Sequence, residues 1–159
     1  ATYGGQNVGA GKIERVKKGL LDCSLLGICW SVMALGIAAL FGGNLAMLFV
    51  NKNDVQSAAD IPQILSFARQ FLVINASFYI PLAFVNIVRF LIQGMGFSQI
   101  AVYAGVFELA ARGLFGLWLV PVLGYNAVCF ANPTAWILAD LFLFPTYFAC
   151  HRKLKRRTG

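Results

Sequence analysis

No charged side chain lies between Asp22 and Lys52, an uninterrupted run of 29 residues from Cys23 to Asn51. A helix needs about 20 residues to cross the roughly 30 Å hydrocarbon layer of a bilayer, so this run can span one with residues to spare. We place a first span at 22–41, closed by Gly42-Gly43-Asn44. A second uncharged run, from Gln70 to Val88, extends to Ile92 and stops at Gly94-Met95-Gly96, giving a span over 70–92. A third span over 100–119 is closed by Pro121, and a fourth over 134–150 opens after Pro133. None of these runs alternates apolar and polar residues as barrel strands do. The chain is 59% apolar and 12% charged, too few polar side chains to cover a soluble domain and too many apolar ones for disorder. The expected fold class is all-α, an integral membrane protein with four transmembrane helices.

Orientation follows from Lys and Arg. The N-terminal flank carries Lys12, Arg15, Lys17 and Lys18, and the tail carries Arg152, Lys153, Lys155, Arg156 and Arg157. Four spans put both ends on one side, and the positive-inside rule makes that side the cytoplasm. The connections 44–66 and 122–132 then read as external. The net charge of +7 is thus mainly a topology signal, with an affinity for anionic lipid headgroups as a second consequence. Nucleic acid is not expected as a partner, because no aromatic residues interleave with the basic clusters. Residues 4–12, GGQNVGAGK, miss the phosphate-loop spacing: Gln6 stands where Gly is needed, and Ile13 where Ser or Thr is. They read instead as a flexible Gly-rich turn. Ala1 to Asn7 reads like the end of an earlier element, and no signal peptide is evident. Cys23, Cys29, Cys129 and Cys150 form no CxxC pair, and His151 stands alone beside the basic tail. No metal set and no catalytic arrangement is therefore expected.

The charges inside the spans carry the functional reading. Glu108 and Arg112 are four residues apart on one helix face, with Glu on the N-terminal side, the better order for a pair. Each costs on the order of 2.5–3.5 kcal/mol at mid-membrane by insertion scales, so both must face protein or water. They either line a polar cavity, with Glu108 exchanging a proton or cation, or form an ion pair that locks helix packing. Asp140 has no partner in its own helix; it either pairs with Arg112 across helices or lines the cavity. In the second span Asn75, Tyr79, Asn86, Arg89 and Gln93 share a stripe interrupted by Leu82, and such a stripe turns inward. Pro81 removes a backbone hydrogen bond from the same helix and is expected to bend it. Small residues at four-residue spacing, Cys23-Gly27-Ser31 and Ala101-Gly105, allow close helix approach.

Four stretches, in order, resemble the multidrug and toxic compound extrusion (MATE) family of transporters: GGQNVGAGKIERVKKG (4–19), SFYIPLAFVNIVRFLIQGMG (77–96), FELAAR (107–112) and GYNAVCFANPTAW (124–136). The resemblance implies a twelve-helix fold of two similar halves, this chain supplying the last four helices. It also implies export of organic cations in exchange for Na⁺ or H⁺. Where the family turn often reads Arg-Gly-Met-Gly-Asp, this chain has Gln93-Gly94-Met95-Gly96-Phe97. One branch carries a cation-binding Asp about eleven residues before that Arg, where this chain has Leu82, so coupling would rest on the N-terminal half or on Glu108 or Asp140.

The sequence thus supports an antiporter working by alternating access. Its expected pathway residues are Glu108, Arg112, Asp140 and Asn86. No enzyme activity and no cofactor are expected beyond Na⁺ or H⁺ as coupling ion. The expected partners are membrane lipid, small cationic substrates and the missing N-terminal half, and the expected location is the plasma membrane. A self-contained four-helix structural subunit and an oligomeric channel are the alternatives.

Overall fold

The computed structural model describes residues 1–50 and 60–158. Its elements, in order, are α1 (Thr2–Gly9), α2 (Ile13–Met47), α3 (Ile61–Ser77), α4 (Tyr79–Gly94), α5 (Ser98–Leu114), a π-helical segment (Phe115–Leu119), α6 (Val120–Leu123) and α7 (Tyr125–Thr158). Among the described residues there is no strand. Three helical stretches are long and apolar enough to cross a membrane: α2, α5 continued to Leu123, and α7. The pair α3–α4 makes a fourth when taken as one broken span, bent by 51°. The chain is an all-helical, multi-pass membrane protein.

The bend lies where the sequence places its cause. Pro81 has no N–H to give to the carbonyl four residues earlier, that of Ser77, and its ring crowds the same carbonyl. The helix breaks at Phe78, whose backbone leaves helical geometry at φ −108° and ψ 18°. A proline is survivable there because neighbouring groups inside a bundle can satisfy the freed backbone.

The other expected boundaries shift outward. Gly42 and Gly43 do not end the first span; α2 runs to Met47. Gly42 is buried against Arg69 and Leu72 of α3, so its small size serves close packing, and Arg69 donates to the Ala39 carbonyl at 3.3 Å. The second span begins at Ile61, earlier than residue 70; within the expected 44–66 connection, residues 51–59 lie outside the described ones. Pro121 does not close the third span. The helix passes through the π segment into α6, where Pro121 stands in the first turn, a position that tolerates proline, and stops at Leu123. Nor does Pro133 open the fourth: α7 starts at Tyr125 and contains both Pro133 and Pro145. The expected 122–132 connection shrinks to a turn at Gly124.

The Gly-rich 4–12 stretch is another departure, since Thr2–Gly9 is helical and not a flexible turn. Gly4 meets Gly94 of α4, Asn7 is buried and donates to the Tyr3 carbonyl at 2.8 Å, and the Tyr3 hydroxyl reaches the Arg15 carbonyl of α2 at 3.1 Å. Glycine is needed twice in Gly94-Met95-Gly96, for different reasons. A Cβ on Gly94 would collide with the Ala1 carbonyl, whereas Gly96 takes φ +90°, which L side chains avoid.

The core gathers between α2, α4, α5 and α7, around Val16, Val88, Ile92, Ala104, Leu143 and Tyr147. Helix α7 packs on α5, α4 and α3, while α2 packs on α3 and α4. Gly27 brings α2 against Ala83 and Ile87 of α4, the close approach expected of it. On α5 the buried stripe is Ala101, Ala104, Glu108 and Ala111, and Gly105 faces open space. Large apolar side chains such as Leu25, Trp30, Leu109 and Trp118 point outward, as bilayer-facing side chains do.

Candidate functional site

The buried stripe of α5 consists of three alanines and one carboxylate. Glu108 is 9% exposed, and both of its oxygens are occupied. Arg89 of α4 donates from Nη2 to Oε1, and Arg112, one turn along α5, donates from Nη2 to Oε2 at 3.2 Å. Arg89 reaches Glu108 across the contact between α4 and α5. Of the two readings of Glu108 and Arg112, this geometry favours the packing pair: a proton or Na⁺ arriving at Glu108 competes with two guanidinium charges already on its oxygens. The sequence offered Arg89 only as a member of an inward stripe and a topology marker. Its partner lies nineteen residues away on another helix, beyond the reach of any local spacing rule.

Asp140 is placed differently. It is half-buried on α7 and makes no ion pair with Arg112; among the described residues its Oδ1 is buried without a hydrogen-bond partner. It lines a cavity of about 450 Å³ with Pro81 of α4 and, from α7, Ile137, Leu141, Phe144 and Pro145. Prolines from both walls therefore meet at one carboxylate. Pro145 leaves the carbonyl of Leu141 without its usual donor, as Pro81 does for Ser77. A larger groove of about 520 Å³ lies between the end of α2, α3 and Tyr125, but among the described residues no charged side chain lines it.

Asn86 is half-buried and donates to the carbonyl of Leu82 on its own helix at 2.9 Å. It does not line the Asp140 cavity. Asn75 is the stripe residue that reaches across. It is 5% exposed, donates to the Cys129 carbonyl at 3.5 Å and accepts from Asn132 at 3.2 Å. Cys129 is the residue whose carbonyl Pro133 deprives of a donor, so an α3 side chain satisfies a proline gap in α7. Reading 122–132 as a loop hid this link; the signal available was the four-residue spacing from Cys129 to Pro133. Among the described residues no three His, Cys, Asp or Glu side chains gather as a metal site needs.

A multi-pass helical bundle that keeps carboxylates inside apolar spans, one clamped and one facing a cavity between a broken span and a proline-containing helix, has the makings of a membrane transport protein. The MatE family model matches residues 1–118, and the chain belongs to the MatE family, a family of membrane transporters. Neither the search of curated proteins nor that of solved structures gives a match.

Proposed function

We propose that this chain forms part of the substrate and ion pathway of a cation-coupled efflux antiporter, with Asp140 as the exchanging carboxylate. The observation that carries this reading is the Asp140 oxygen without a partner in a cavity walled by Pro81 and Pro145. A carboxylate in so apolar a setting gains most from a cationic occupant, a proton, Na⁺ or an organic ammonium. The adjoining Phe144, packed against Phe84 at a ring distance of 5.6 Å, supplies an aromatic wall suited to flat lipophilic cations. Helices broken at proline line transport sites because they can change their bend while the bundle stays packed. Alternating access would then rock this bundle against an N-terminal half, in the plasma membrane with both ends of this segment cytoplasmic. Glu108 and Arg112 serve that motion as part of the rigid clamp, and Asn86 by holding the turn above Leu82.

The test is drug efflux by the full-length protein in vesicles under imposed Na⁺ or H⁺ gradients. Asp140→Asn is expected to abolish gradient-dependent efflux at unchanged membrane abundance. Undiminished efflux by Asp140→Asn would refute the assignment, and gradient-independent conductance would favour a channel.

A further inference from the structure

A second cavity, of about 300 Å³, lies between the first turn of α2 and the last turns of α7, at the low end of the roughly 300–1,000 Å³ typical of small-ligand sites. Its α7 wall is a helical stripe: Tyr147, His151 and Lys155 stand at successive four-residue steps, with Phe148 and Arg152 beside them. Lys17 and Glu14 face them from α2. Three fixed positive charges thus meet one negative charge, and Glu14 is already engaged by Lys155 at 2.7 Å.

Two buried polar atoms on this wall have no hydrogen-bond partner among the described residues, the Tyr147 hydroxyl and His151 Nε2. Tyr147 is 2% exposed, so bulk water does not satisfy its hydroxyl, and such groups are rarely left unpaired. Both can donate. Donors without acceptors inside a ring of basic side chains call for an anion with several acceptor oxygens. The cavity also sits where the apolar part of α7 gives way to its basic tail, the depth at which headgroup phosphates lie.

We propose that this cavity binds a phosphate-bearing anion, its oxygens held by Arg152, Lys17, the Tyr147 hydroxyl and His151. An anionic phospholipid headgroup and free phosphate share that chemistry. An occupant would tie the start of α2 to the end of α7 by polar contacts, where the exposed Glu14–Lys155 pair contributes little beyond the apolar packing of Val16 and Tyr147.

The test uses the full-length protein in phosphatidylcholine nanodiscs, titrated in one arm with phosphatidylglycerol and in the other with inorganic phosphate. Saturable binding is expected in at least one arm, and the arm in which it appears identifies the source. Arg152→Gln should weaken it about tenfold, as loss of a charge-assisted contact does, and Tyr147→Phe about threefold. Arg156→Gln, which removes the same charge from outside the cavity, should stay within about twofold of the parent. Absence of saturable binding in both arms overturns the proposal. So does an Arg156→Gln effect equal to that of Arg152→Gln, or unaltered binding by Tyr147→Phe, a variant that keeps the ring packing and removes only the hydroxyl.

Discussion

Glu108 and Asp140 are both acids in apolar spans of one small bundle, yet their surroundings are opposite. Glu108 sits on an alanine-lined face where α4 comes close, and two arginines take its oxygens. Asp140 sits beside Pro81 and Pro145 at the edge of the α4–α7 contact, and its Oδ1 meets no donor. Burial alone therefore does not mark a carboxylate as structural or functional. What differs is which side chains the neighbouring helices present, arginines at Glu108 and apolar residues with two prolines at Asp140.

The contrast can be broken most forcefully at the clamp. Arg89→Ala is expected to destabilise the protein by about 3 kcal/mol, because Glu108 loses its inter-helix partner while remaining buried. Thermal unfolding in detergent measures this, and an unchanged melting temperature would mean that the clamp contributes nothing. Next in size is Asp140→Asn. Efflux should fall about a hundredfold, equivalent to about 2.7 kcal/mol, while stability stays within about 0.5 kcal/mol because no ion pair is lost. A variant that fails to reach the membrane would instead place Asp140 with Glu108 as a packing residue.

Smaller effects sharpen the picture. Asn75→Val should cost about 0.6–1.7 kcal/mol, the range of hydrogen bonds between membrane helices, by leaving the Cys129 carbonyl without its α3 donor. Hydrogen exchange at the α7 amides around Pro133 would report the loosening. Arg112→Gln should cost the least, about 0.2–1 kcal/mol, since that side chain is 43% exposed. If Arg112→Gln proves as damaging as Arg89→Ala, the pair within α5 carries the clamp and the contact to α4 is secondary.

Much of this arrangement was legible in one dimension. An uncharged run longer than a bilayer is thick announced the first span, and shorter or sparsely charged apolar runs announced the others. Pro81 announced the bend, because a missing N–H acts on the residue four positions earlier. The i,i+4 spacing of Glu108 and Arg112 announced their contact for the same local reason. Boundaries were misread wherever a residue had two possible uses. Gly42 resembles a stop but packs against Arg69, Pro133 resembles a helix start but lies inside α7, and the glycines of α1 resemble a flexible turn, but Gly4 lets that helix lie against Gly94. Which use applies depends on what packs there, and a window of sequence does not contain that.

The sequence by itself determined that this chain crosses a membrane as helices and that one of them bends at Pro81, because hydrophobic length and proline chemistry are properties of consecutive residues. Only the tertiary structure decided that Arg89 serves Glu108, that Asn75 serves Cys129 and that Asp140 is left facing a cavity. Those outcomes depend on distances between helices, which are set by how side chains of very different size fill the space between them.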